Sequence, residues 1–212
     1  MFRTIIASLC LLSLFAVPGQ ALLASDALAQ ASPAAAVATT AVEKFHAALL
    51  DNMKAKAAFA DRRARLAPVV TEVFDLPVMA RLSTGGAWAK MSDADHDKIT
   101  SAFGDWTIAT YAAQFKDWDG EGFVTRDTTD DGKGNVVVNT RLTQKAGAPV
   151  IFNYRMRKSG DAWKVVDIYL EGAISQLALR RGEFGAVIAR GGVDELVKHM
   201  RELTAQAEKT GA

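Results

Sequence analysis

A change of period divides this chain into three parts and restricts what it can become. Up to about Lys116 the apolar residues recur at helical spacing, from Gly120 to Leu170 they alternate, and beyond Gly172 the helical spacing returns. In the alternating stretch, Phe123 to Asp127 is a first candidate strand. Val136 to Thr143 carries Val136, Val138 and Leu142 on one face. Val150 to Arg157 sets Val150, Phe152, Tyr154 and Met156 against Ile151, Asn153, Arg155 and Arg157. Trp163 to Leu170 sets Val166, Ile168 and Leu170 on one side. The connections hold Asp131-Gly132, Gly147-Ala148-Pro149 and Ser159-Gly160-Asp161, which is turn chemistry. Short links between alternating runs imply an antiparallel sheet with one apolar and one mixed face.

The flanking parts read as helices. Ala41 to Ala58 carries Val42, Phe45, Leu49 and Met53 in one stripe. Asp61 is expected to cap a second helix through Leu66, Val69, Val70 and Val73. Asp75-Leu76-Pro77 opens a third, which Gly85-Gly86 ends. Ser92 with Asp95 forms a capping-box pattern ahead of a long helix to about Lys116, where Ile99, Phe103, Trp106 and Thr110 share a stripe. After Gly172, Ile174, Leu177, Ala178, Phe184, Val187 and Ile188 follow helical spacing. Gly191-Gly192 breaks that helix, and Val193, Leu196, Val197, Met200 and Leu203 form another stripe. Helices and strands segregated in this way predict an α+β domain: a curved antiparallel sheet of about four strands, with several helices packed on one face. The domain is expected over 41–207, after a flexible Ala-rich leader at 30–40 and before a short tail at 208–212.

Residues 1–29 have the pattern of a secretory signal peptide. A positive start at Arg3 precedes an apolar run from Ile5 to Val17, a Pro18-Gly19 break, and the small-x-small site Ala27-Leu28-Ala29. The apolar run is short for a membrane span. Leu9 stands where a lipoprotein signal needs a small residue before Cys10. Cleavage after Ala29 removes the one cysteine, so the exported domain carries no thiol and no disulfide. With 25 Lys and Arg against 24 Asp and Glu, the net charge is +1. That leaves no basic field for nucleic acid.

Catalytic signatures are missing. No phosphate-binding, dinucleotide-binding, nucleophile-elbow or zinc-protease motif occurs. Asp93, Asp95 and Asp97 alternate like the start of a calcium loop, but Lys98 stands where that loop turns on glycine. The acids suit a helix N-terminus instead. His46, His96 and His199 have no second ligand at helical spacing, so no metal and no cofactor is expected. One acid/base arrangement is conceivable: Asp167, Tyr169 and Glu171 with Tyr154 in a cone-shaped sheet, as in proton-transfer isomerases. The simpler expectation turns Asp167 away from the apolar face, paired with Arg155 or Arg157.

Several blocks carry a family resemblance. Phe74-Asp75-Leu76-Pro77-Val78-Met79-Ala80-Arg81-Leu82 through Gly85 to Trp88 resembles the "FD...mar..lG..W" signature of the MlaC/toluene-tolerance family. Phe103 and Tyr111-Ala112 are similar to its "F...l...YA" helix, and Tyr154-Arg155 to its "YR" strand. Trp163 to Ser175 resembles "WkvyDv.veGvSl", and Arg180 to Phe184 takes the place of "nYRsqF". The blocks run in family order from about Val42 to Leu203. Details around Tyr111, Gly120 to Phe123 and Ile168 to Ser175, with Arg180 in place of the usual Tyr, look most like the hopanoid-associated HpnM subgroup.

The resemblance implies a periplasmic lipid carrier without enzymatic activity, serving an ABC-type lipid transport system. Its cargo would be a phospholipid or hopanoid. It would touch membranes transiently and exchange lipid between an inner-membrane transporter and an outer-membrane acceptor complex. The lipid would lie in a cavity between sheet and helices. Expected lining residues are Phe74, Leu82, Phe103, Trp106, Tyr111, Val138, Phe152, Tyr154, Ile168, Leu170, Ile174 and Phe184, with Arg180 and Arg181 near the head. The other class of function is a small-molecule enzyme, isomerase-like, on a cone-shaped α+β fold.

Overall fold

The computed structural model describes residues 32–212. The expected export segment and Cys10 lie outside the described residues. Helix α1 (Pro33–Lys54) starts earlier than the apolar spacing predicts. Ser32 caps it, its hydroxyl accepting from the Ala35 N–H at 3.2 Å, and Pro33 sits in the first turn. The stretch expected as a flexible leader is therefore helical from Pro33. Alanine favours helix strongly, and Ala35 and Ala38 are buried there. Helix α2 (Phe59–Val73) has Ala58 at its N-cap, so Asp61 lies within the first turn and does not cap.

Helix α3 (Leu76–Thr84) opens as expected, with the Asp75 carboxylate accepting from the Val78 N–H at 3.3 Å. Gly85 closes it at φ 61°, ψ −138°, a conformation open essentially to glycine alone, and a 3-10 turn (Gly85–Lys90) follows. Helix α4 (Asp93–Gln114) begins with the Ser92–Asp95 capping box.

The sheet runs β1 (Gly122–Asp130), β2 (Asn135–Thr143), β3 (Val150–Ser159), β4 (Ala162–Leu170) and β5 (Ile174–Ser175), in that order, every neighbour antiparallel. The fifth strand is a two-residue addition, so Ile174 belongs to the sheet edge and not to the last helix. The expected face of β4 needs one correction. Tyr154 faces Ile168, but Met156 faces Val165, because a bulge interrupts the β3–β4 register. Val165, not Val166, therefore joins the inner face. It is fully buried and bridges to Phe74.

Helix α5 (Gln176–Gly211) is broken at Gly192 (φ 71°, ψ −157°), where the paired glycines predict a break. Its helical path continues to Gly211, so residues 208–211 are not a loose tail. Helix α1 lies against β1, β2 and β4, while α4 packs chiefly on α2, α3 and α5. The apolar core fills the space between these layers. Among the described residues no helix is long and apolar enough to cross a membrane.

Candidate functional site

A cavity lies between α4, strands β3 and β4, and the start of α5. It measures about 820 Å³ with its open mouth included. Its wall is built from two periodicities. Along α4, Phe103, Trp106, Thr107, Thr110, Tyr111 and Gln114 follow the three- and four-residue spacing of one helical face. Across the sheet, Phe152 faces Leu170 on the neighbouring strand, with Ile168 beside them. Phe74, Met79, Phe115 and Leu177 complete the apolar lining, and Asp167, Gln176 and Arg180 add polar groups.

Threonines in an apolar wall are accounted for by their hydrogen bonds. Thr107 donates to the Phe103 carbonyl at 2.7 Å, and Thr110 donates to the Trp106 carbonyl at 2.8 Å. Both hydroxyls are returned to the helix, so neither is left unpaired in the cavity.

Of the residues expected in the lining, Phe74, Phe103, Trp106, Tyr111, Phe152, Ile168, Leu170 and Arg180 meet there. The others do not. Val138 and Phe184 are fully buried core residues, and Phe184 sits behind Trp106 with ring centroids 5.9 Å apart. Ile174 is 49% exposed on the edge strand. Leu82 and Arg181 lie together elsewhere. The Arg181 Nε donates to the Leu82 carbonyl at 2.9 Å, and its stem packs by Gly85. Met79, Thr107, Thr110, Gln114, Phe115, Asp167, Gln176 and Leu177 line the cavity without being among the expected lining residues. The helical stripe that already contained Phe103, Trp106 and Thr110 was the signal for Thr107 and Gln114.

Tyr154 is buried behind the cavity, its hydroxyl paired with His46 Nε2 at 3.0 Å. His46 is stacked on Phe123 with centroids 3.9 Å apart. Burial pushes the His46 pKa down to about 3 and holds the Tyr154 hydroxyl well above its ordinary value.

Asp167 does not pair with either expected arginine. Arg155 goes to Asp131 at 2.7 Å, and Arg157 lies 3.6 Å from Asp75. Instead the buried Asp167 carboxylate accepts from the Ile168 N–H (2.8 Å), the Leu177 N–H (3.2 Å) and the Ser175 hydroxyl (2.6 Å). It thus anchors the N-terminus of α5, where a negative charge also meets the positive end of the helix dipole.

At the mouth, the Arg180 guanidinium lies 4.8 Å from the Trp106 ring centroid and pairs with Glu183 at 2.5 Å. His199 Nε2 takes the other Glu183 oxygen at 2.7 Å. Burial alone would raise the Glu183 pKa, but the hydrogen bonds from His199 and Arg180 outweigh it and hold the carboxyl below its ordinary value. Among the described residues no cluster of His, Cys, Asp or Glu could hold a metal ion.

Fold and cavity together define an α+β scaffold built around an apolar chamber with a polar mouth. The family model for the MlaC protein matches residues 39–202, and the chain belongs to the MlaC family. A solved structure of a phospholipid-binding protein from Ralstonia solanacearum, in complex with a phospholipid, is similar to it. The TM-score is 0.70 at 25% identity, covering 82% of this chain and 98% of that one. No curated protein matches the chain.

Proposed function

We propose that this protein is a periplasmic lipid carrier, exported with loss of residues 1–29, that holds the apolar part of a phospholipid or hopanoid in the α4–sheet cavity. It shuttles that cargo between an inner-membrane lipid transporter and an outer-membrane acceptor complex, touching each membrane only briefly. The observation that carries this reading is the apolar cavity itself, in a chain of the MlaC family. The phospholipid bound by the Ralstonia protein supports the same cargo class. Each methylene withdrawn from water contributes about 0.8 kcal/mol, so a lipid's chains supply ample driving force. The hopanoid alternative rests on the finer resemblance to the HpnM subgroup.

The carrier needs no covalent chemistry. An isomerase-like reading required Asp167 and Tyr154 to work together as acid and base. Asp167 is instead engaged by three donors at the start of α5, and Tyr154 is paired with His46. The test is mass spectrometry of lipid co-purifying with the protein, followed by uptake from liposomes after lipid removal. Bound lipid and reloading are expected. A folded protein that neither carries nor takes up lipid refutes the reading. Phe152→Asp, which places a charge in the wall, should abolish loading while circular dichroism shows the fold retained.

A further inference from the structure

We propose that Arg180 selects cargo by charge: the mouth accepts lipids whose headgroup carries a phosphate and discriminates against uncharged ones such as a diacylglycerol or a neutral hopanoid. The assignment rests on the carrier reading and narrows its cargo. Three observations converge on this residue. First, among the described residues it is the one basic residue lining the cavity, whose one carboxylate, Asp167, is already engaged by three donors, and its side chain remains 35% exposed at the mouth. Second, its guanidinium is pre-positioned. Trp106 lies under it at 4.8 Å, and Trp106 is itself supported by Phe103 and Phe184. Glu183 holds one edge at 2.5 Å, and His199 braces Glu183 in turn at 2.7 Å.

Third, most of its donor capacity is open. A guanidinium has five N–H donors in a planar fork that matches phosphate oxygens. Among the described residues, Glu183 is the only hydrogen-bond partner of this side chain. Of the pair, Arg180 lines the cavity and Glu183 does not, so the guanidinium is the member that meets the chamber. Gln114 and Gln176 add neutral amides to the same lining. Arg181, the adjacent candidate, is turned away to the Leu82 carbonyl and plays no part. Glu183 and His199 are positioning residues.

The test uses the lipid-stripped protein with vesicles of phosphatidylethanolamine, phosphatidylglycerol and diacylglycerol of matched acyl chains, doped with an uncharged hopanoid. Loaded cargo is counted by mass spectrometry. Both phospholipids should load about tenfold better than either uncharged lipid, the size of one charge-assisted hydrogen-bond contribution, and the ratio should shrink with added salt. Arg180→Gln should erase the ratio by bringing phospholipid loading down to that of the uncharged lipids, and Arg180→Lys should keep part of it. Glu183→Gln should lower the ratio by less than Arg180→Gln does, with diacylglycerol loading unchanged. Equal loading of all four lipids, or an unchanged ratio in folded Arg180→Gln, overturns this assignment and leaves the carrier reading standing. A protein that loads no lipid overturns both.

Discussion

Enclosed by Phe45, Phe123 and Tyr154, His46 cannot take up a proton without placing a charge where burial has stripped it of water. Its pKa falls from 6.5 to about 3 on folding. Between those values the unfolded chain binds a proton that the folded chain refuses. The stability contribution is therefore complete above pH 6.5 and is lost as pH falls toward 3, at up to about 1.4 kcal/mol per pH unit. Urea unfolding at pH 7 and pH 4 should show this loss. His46→Phe, which keeps the stacking on Phe123, should lose less between the two pH values than the parent. An identical pH dependence in the variant would remove His46 as the source. The sequence showed a histidine on a helix; only the strands brought by Phe123 and Tyr154 bury it.

At the scale of elements, three segments meet at one side chain. Arg62 is buried on α2, and its guanidinium donates to the Ala112 carbonyl at 2.9 Å, the Ala57 carbonyl at 2.5 Å, and the Gly211 carbonyl. These carbonyls belong to the last turn of α4, the segment after α1 and the end of α5, where helix dipoles concentrate negative charge. Gly211 fits because it lacks a side chain: an added Cβ would stand 2.7 Å from the Phe59 ring and 2.9 Å from the Ala113 backbone. Arg62→Ala leaves buried carbonyls unpaired and should cost about 3 kcal/mol in thermal unfolding. Hydrogen exchange should quicken first in the last turns of α5. Uniform exchange across the helix would refute the docking role. Sequence spacing foresaw neither this clamp nor the bulge that turns Val165 inward, since both depend on partners remote in the chain.

The cavity belongs to the molecule as a whole, because no single element creates it. Helix α4 brings its Phe103-to-Gln114 face opposite Phe152, Ile168 and Leu170, and the gap between them is what the surrounding elements leave unfilled. Thr110→Trp should fill that gap without introducing a charge. Near-parental thermal stability of the lipid-free protein and a loss of lipid uptake are expected. Normal uptake by this variant would place the cargo elsewhere. Lipid-loaded protein should also melt above the stripped form, since cargo binds only the folded state.

The sequence by itself determined the order and type of nearly all elements. Period, turn residues and caps such as Ser92–Asp95 and Asp75 are local, and their physics acts over a few residues. It also placed Phe74, Phe103, Trp106, Tyr111, Phe152, Ile168, Leu170 and Arg180 among the candidates. Tertiary structure alone decided which apolar residues face the cavity and which fill the core. Val138, Tyr154 and Phe184 carry the same hydrophobic signal as Phe152, and they differ only in what the neighbouring layer places against them. The same holds for the adjacent arginines. Arg180 reaches the mouth and Arg181 a backbone carbonyl, because successive helical residues point about 100° apart and only the packing of α5 determines which of them meets the cavity.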